Sequence, residues 1–463
     1  MRWLSAPFAC ALAGCSLIYN PNNLPRVNDA FPDADPCALL LSDITPKVIY
    51  EGQGTGGSAP ALLVVRGNNI VNTNLAVELK AHDGTTAVQL TPVASALASS
   101  DHAYLAFTVT APVDDKLGNI AATDVPLDVT VRQDAPATGG CMAAATQTLT
   151  GQLVLRVLPE LTNPAVAGGV LYSRIVLGSF DQSGLGFPEP LALSAVSSIT
   201  LGSVSVSGAG AKSGPGGYSA GATPGPGGGG DGGSVVSLLS LANGGGGGGA
   251  GFAIAGKAGD AGGATAGTAG TATGEDLILS VDKNRASAGG KGGGGVAVVG
   301  APLGPGGAGG GGGAGAGGTV VVRSQSGKLK VGIVRVNAGT PGSPGGGMAS
   351  VGRVRWDSPS GDAPSSPDRA PHRAPSFLDP VHVVTTRSQA FTLIGSPGDD
   401  IDIRVSDGRD MSNDARGTSF SSAGKATITP QLFPGYNQLC AKLSQGATSE
   451  SVANVCTEVA FVP

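Results

Sequence analysis

Between Gly202 and Gly361 the chain runs through tract after tract of glycine, of the kind GPGGAGGGGGAGAGGTVVVR at residues 304–323. Glycine gives up more backbone freedom on folding than any other residue, and fixing a residue costs about 1–2 kcal/mol. A glycine tract has no side chains to bury against that cost, so it stays a flexible coil or pairs its bare backbone with a neighbour. The apolar stretches between the tracts favour order. SVVSLLSLA (234–242), EDLILSVD (275–282), GVAVVGAPL (295–303) and GTVVVRS (318–324) are strand signals for which a coil has no use.

An internal repeat strengthens that reading. ITLGSVSVSGAGAKSGPGG (199–217) aligns with LKVGIVRVNAGTPGSPGG (329–346), placing Ile199 on Leu329, Leu201 on Val331, Gly202 on Gly332, Val204 on Val334 and Val206 on Val336. In both copies a strand of period two runs into a glycine tract, as successive coils of a solenoid would. The pattern resembles the glycine-rich strand-and-loop repeats of parallel β-helix proteins from bacterial surfaces. The tracts themselves resemble polyglycine II, whose three-residue turns leave N–H and C=O groups pointing outward. Without Cβ atoms, neighbouring helices come close enough to bond those groups to each other. At about 1 kcal/mol net per hydrogen bond this recovers only part of the entropy, so the apolar strands must supply the rest. Residues 161–356 are expected to form a glycine-rich β-solenoid.

The flanks have ordinary composition. ALLVVRG (61–67), LAVELKA (75–81), YLAFTVT (104–110), PLDVTVR (126–132) and GQLVLRV (151–157) are short strands. In LAVELK and LDVTVR apolar and polar residues alternate, which puts one face inward and one in water. Strands at this spacing predict an antiparallel sandwich over 37–160. DITPKVIYEGQGTGGSAPALLVVRGNNI (43–70) resembles the opening of an IPT/TIG immunoglobulin-like domain, with Asn68-Asn69 where that family usually has an aromatic residue. After DSPSGDAPSSPDRAPHRAP (357–375), read as a Pro-rich linker, VHVVTT, AFTLIG, DIDIRVS, KATITP, NQLCAKL and VCTEVAFV supply a second sandwich over 376–463. Its last hairpin resembles that of bacterial Ig-like and fibronectin-like repeats. The expected fold class is all-β: two Ig-like β-sandwiches flanking a glycine-rich parallel β-helix with polyglycine-II-like packing.

MRWLSAPFACALAGC (1–15) has Arg2, a short apolar run and small residues before Cys15, the anatomy of a secretory signal. Leu12-Ala13-Gly14-Cys15 resembles the bacterial lipobox, which implies cleavage before Cys15 and a lipid on it. Ser16 stands where aspartate is that family's inner-membrane retention signal, which implies the outer membrane. The alternative is an ordinary signal with an incidental cysteine. Residues 16–36, rich in Asn, Pro and Asp, read as a flexible tether. Of six cysteines, loss of Cys10 and acylation of Cys15 leave Cys37, Cys141, Cys440 and Cys456. An even set in an exported chain implies disulfides, with three connectivities open. Cys37–Cys141 and Cys440–Cys456 each close locally around a glycine-poor region and are the expected pairs. A zinc site is the rival reading, but there is no CxxC spacing and no His beside a cysteine.

Charged residues are 13% of the chain and the net charge is −5, which removes nucleic acid from the expected partners. Aromatic residues, at 4%, argue against stacking platforms. Gly217-Tyr218-Ser219-Ala220-Gly221 fits G-x-S-x-G but has no strand before it, helix after it or His partner. His82, His102, His372 and His382 stand alone and read as surface or strand residues. In GDDIDIRVSDGRDMSND (398–414), Asp400, Asp402, Asp407 and Asp410 are weak candidates for a Ca²⁺ site, with Arg404 and Arg409 as rival partners and no calcium-loop pattern. In the middle region Asp231, Asp260, Glu275, Asp276 and Asp282 show no pairing pattern of a hydrolase.

The expected function is therefore non-enzymatic and cofactor-free. The chain reads as an outer-membrane protein held by its N-terminal lipid, structural or adhesive in role, with envelope glycans or surface proteins as partners. It resembles the glycine-rich surface lipoproteins of bacteria. The alternatives are a module that binds carbohydrate or another repeating ligand, and a hydrolase hidden in the middle region.

Overall fold

The computed structural model describes residues 38–53, 61–70, 75–90, 92–96, 103–109, 124–134, 144–162, 170–185, 190–215, 249, 255–260, 266, 268–270, 313–324, 328–343, 345–358, 360–361, 363–409, 411–443 and 455–463. The elements in them are all strands, and among the described residues no helix is long and apolar enough to cross a membrane.

The N-terminal part has two sheets. In spatial order one runs Leu40–Thr45, Ala61–Asn68, Ala103–Val109, Pro92–Ala96, and is antiparallel throughout. The other runs Val48–Tyr50, Ala145–Arg156, Val125–Gln133, Leu75–Ala81, Ala87–Leu90, with its first pair parallel and the rest antiparallel. Ile44, Leu63 and Val65 of the first meet Val77, Leu79, Val129 and Leu153 of the second in one apolar cluster. The alternation read in LAVELK and LDVTVR is what buries Val77 and Leu79, and Leu127, Val129 and Val131. Ala61–Asn68 departs from it, because Leu62 and Val64 on its opposite face are buried as well.

In the middle part the chain visits three sheets in turn, and each pass pairs in parallel with the one before. The first pass is Leu171–Tyr172, Ile175–Leu177, Phe180–Asp181, and the second Leu191–Ala195, Ile199–Leu201, Val204–Ser205. The third is Thr319–Ser324, Lys328–Val331, Val334–Arg335. Arg353–Asp357 and Ser360–Gly361 follow, and His372–Arg373 is the last strand laid down. The cross-strand partners are those of the sequence repeat: Ile199 with Leu329, Leu201 with Val331, Val204 with Val334. Stacked copies put like residues in rows, so Ile175, Ile199 and Leu329, and beside them Leu177 and Leu201, fill one core with Val320, Val322, Val334 and Trp356. Each such side chain contributes about 1.5–3 kcal/mol when fully buried. Ser360–Gly361 and His372–Arg373 fall inside 357–375, the segment read from sequence as a linker, where Asp357 and Ser358 have no exposed surface.

Most of the glycine lies between the second and third passes. SVVSLLSLA, EDLILSVD and GVAVVGAPL are outside the described residues, whereas GTVVVRS supplies Thr319–Ser324. Residues 313–318 are buried throughout and bond to neighbours on several sides. Ala314 donates to the Gly347 carbonyl at 2.9 Å and Gly317 to Ser350 at 3.1 Å, an advance of three residues on both segments. Lys257 donates to Met348 at 2.8 Å and Asp260 to Gly345 at 2.7 Å, again three residues apart but with the segments opposed. Toward the other side Gly315 donates to Gly210 at 2.8 Å, Gly318 to Val206 at 2.8 Å and Gly339 to Gly315 at 2.8 Å. This spacing differs from a strand ladder, which recurs every two residues. The approach is close enough to exclude side chains. A Cβ on Gly317 would overlap the Val336 carbonyl oxygen, and one on Gly352 the Gly318 carbonyl oxygen.

The C-terminal part again has two sheets, Ser376–Phe377, Phe391–Ile394, Lys425–Ile428 and Val383–Val384, Val455–Phe461, Gly435–Leu443, Asp400–Ser406, Ser412–Ser419. Phe377, Phe391, Leu393, Ile401, Ile403, Val405, Leu439 and Val459 form their shared core. Phe377 and Phe391 meet edge to face with ring centres 6.3 Å apart.

Candidate functional site

Apart from Asp181, the groups with displaced pKa values lie at the exit of the parallel stack and where the C-terminal part meets the rest of the chain. At the exit of the parallel stack, Arg353–Asp357 is buried on both faces. Val354 and Trp356 point into the stack core. On the other face Arg355 donates Nε to Oδ1 of Asp357 at 2.8 Å and Nη2 to Oδ2 at 3.1 Å, a two-point pair with almost no exposure. Arg323, beside Asp357 in the next strand, has its pKa pulled down by burial, with Asp357 opposing the shift. The Arg373 guanidinium lies 4.4 Å above the Trp356 ring.

His372 and Asp399 join this stack to the C-terminal part, with Nε2 and Oδ2 2.8 Å apart. Arg373 adds to the joint, donating its backbone N–H to Ser396 Oγ at 3.0 Å and accepting from that hydroxyl at 3.2 Å. An isolated His–Asp contact would raise the imidazole pKa and lower the carboxyl pKa. Burial reverses both: His372 falls to about 4, with Arg355 and Arg369 adding to the fall, and Asp399 rises to about 6, with Arg355 opposing and Asp400 assisting. Both shifts favour the uncharged forms, a neutral imidazole and a protonated carboxyl.

The first and last parts of the chain also meet. Leu62, Val64 and Ala106 pack against Tyr436, Ala460 and Val462. Glu458 is embedded in this contact, accepting the Leu62 N–H on Oε2 and the Tyr436 hydroxyl on Oε1, both at 3.0 Å. Burial raises its pKa, and these two donors oppose the rise. Tyr436 is pushed well above its usual range by burial, then by Glu458. At the edge of the contact Arg409 pairs with Asp43, which also pairs with Lys47. Beside them opens a small cleft of about 40 Å³ lined by Thr45, Arg66, Asp407, Arg409 and Tyr436, among others.

Of the residues singled out from sequence, Cys440 and Cys456 face each other on adjacent strands and are bonded, Sγ to Sγ. Cys15, Cys37, Cys141, His102, Ser219, Asp231, Glu275, Asp276, Asp282 and Asp410 lie outside the described residues. Asp400 takes the Ser419 hydroxyl, and Asp407 Oδ1 takes the N–H groups of Arg409 at 2.9 Å and Met411 at 3.1 Å. Among the described residues no three metal-ligating side chains come together. Asp260 is placed in the glycine region through its backbone N–H. His82 pairs with Asp128 at the surface, 3.0 Å away, and His382 bonds through Nδ1 to the Glu458 carbonyl at 2.9 Å.

Asp399, Glu458, Arg66 and Asp43 are absent from the sequence reading. The signal for the last three was the run ALLVV at 61–65, which is apolar on both faces of its strand and so calls for cover on both. Comparison with protein families, with characterised proteins and with solved structures finds no match to this chain, so its fold and chemistry are argued from its own residues alone.

Proposed function

We propose that the chain is a lipid-anchored, non-enzymatic protein of a bacterial outer membrane, with a structural or adhesive role toward envelope glycans or surface proteins. The observation that carries this reading is the way its polar groups are used. The His372–Asp399 pair and Glu458 bind one segment of the chain to another, and the buried Arg355–Asp357 pair satisfies its charges within its own strand. Their partners are residues of the fold itself, which suits a structural role.

In this reading the flanks are Ig-like sandwiches, supported by two antiparallel-rich sheets around a shared core in each. The middle is a parallel β-helix, supported by the three sheets visited in turn. The glycine tracts are polyglycine-II-like, supported by the three-residue recurrence of their hydrogen bonds. The Cys440–Cys456 bond fits an oxidising compartment, as the secretory segment and Cys15 require. The outward row Val176, Thr200, Lys330 repeats at the strand separation of about 4.8 Å but changes chemistry at each step. A comb for a repeating ligand would keep one chemistry, which favours the scaffold over the carbohydrate-binding alternative.

The test is labelling with radioactive palmitate in a bacterial host, followed by membrane fractionation. The parent chain is expected to carry label and sediment with the outer membrane, and Cys15→Ser to do neither. An unlabelled parent chain would end the anchoring proposal.

A further inference from the structure

The cleft between the first and last parts of the chain has an unbalanced cation. Arg66 shares a face of its strand with Leu62 and Val64, the residues that pack against the C-terminal part. Its Nε is buried and has no hydrogen-bond partner among the described residues. A buried donor left unsatisfied costs free energy, more so when it is charged. The nearest acids are already committed. Asp43, directly opposite Arg66 across the strand pair, is shared between Lys47 and Arg409. Asp407 Oδ1 is held by two backbone N–H groups of its own turn. Of the charged residues that line the cleft, Arg66 and Arg409 are cations and Asp407, already engaged, is the one acid. The guanidinium of Arg66 and that of Arg409 line the same cleft, with the Thr45 and Tyr436 side chains beside them.

We propose that this cleft is a binding site for a small oxyanion, a carboxylate or a phosphate, received by Arg66 with Arg409 at the rim. A planar guanidinium offers two parallel N–H donors to such a group, and a buried Nε–H is the one that needs it. The cleft is small, about 40 Å³, which suits a single carboxylate or phosphate group, with the rest of any larger ligand lying outside it. Because its walls come from both ends of the chain, an occupant would fasten them together and raise the melting temperature by mass action. The inference needs neither the lipid nor the envelope role, and it survives if either is wrong.

The experiment titrates the purified full chain, at low ionic strength, with glucuronate, inorganic phosphate and glucose by calorimetry, while following the Arg66 Nε–H resonance by NMR. Saturable binding of glucuronate or phosphate is expected, with none for glucose and with the Nε–H signal moving at the same midpoint. Preference for glucuronate points to an acidic sugar and preference for phosphate to a phosphate ester. Arg66→Gln is expected to weaken binding by at least about tenfold, the size of a charged hydrogen bond. The resonance arm requires no variant to fold. Absence of binding by both anions, or binding that leaves the Arg66 signal in place, would overturn the site.

Discussion

The backbone N–H of Leu62 donates to Oε2 of Glu458 at 3.0 Å, across 396 positions of sequence. Glu458, which also accepts the Tyr436 hydroxyl within its own sheet, thereby holds the C-terminal part to the N-terminal part. Glu458→Ala would leave both donors without an acceptor in an apolar contact, at an expected cost of about 1–3 kcal/mol in denaturant melts. The pH dependence follows from the raised pKa of Glu458. A carboxyl that holds its proton more tightly in the folded chain adds stability below its ordinary pKa of 4.5, and that contribution is lost as pH rises through the folded value. Glu458→Gln should flatten this slope, which melts from pH 4 upward would reveal.

His372 and Asp399 pull in opposite directions. Lowered to about 4, His372 makes stability rise with pH between about 4 and 6.5; raised to about 6, Asp399 makes it fall between 3.8 and about 6. In the shared window folding moves a proton from one residue to the other and the two slopes cancel. His372→Asn should therefore leave a stability that declines with rising pH from about 4 to 6, and Asp399→Asn one that climbs. Equal slopes in the two variants would contradict the pairing.

Gly317 has no room for a methyl group against the Val336 carbonyl. Gly317→Ala is expected to destabilise the chain by about 1–3 kcal/mol, the usual penalty of overpacking. The control is Gly178→Ala, where an added Cβ meets nothing within 4 Å. Thermal melts of the two variants should separate clearly.

The Cys440–Cys456 bond closes a loop of sequence separation 16. In the chain-entropy account a loop of that length contributes about 3 kcal/mol. Replacing both cysteines by serine should lower the denaturant midpoint accordingly, and reduction of the parent chain should reproduce the change.

Where residues repeat in sequence, the fold was legible. Ile199 and Leu329 align by pattern and pair in space, because stacked passes of a parallel sheet must present like residues to one core. Alternation likewise placed Val77 and Leu79 inside. Short strands such as His372–Arg373 escaped, since two residues carry no period and a neighbouring pass, absent from local sequence, holds them. Glu458 escaped for a related reason: on its own strand it reads as an outward polar residue, and only Leu62 from the other end makes it internal. Asp399 sat within an acidic run whose neighbours drew attention, and burial beside His372 distinguishes it from Asp400.

The described glycine segments satisfy one another's backbones beside the parallel strands. Amide hydrogen exchange at residues 313–318 tests it most directly. The N–H groups of Ala314, Gly315, Gly317 and Gly318, each bonded to another segment, should exchange at least about a hundredfold slower than in an unstructured peptide. Exchange at the peptide rate, with Val320 and Val322 protected next to them, would contradict it.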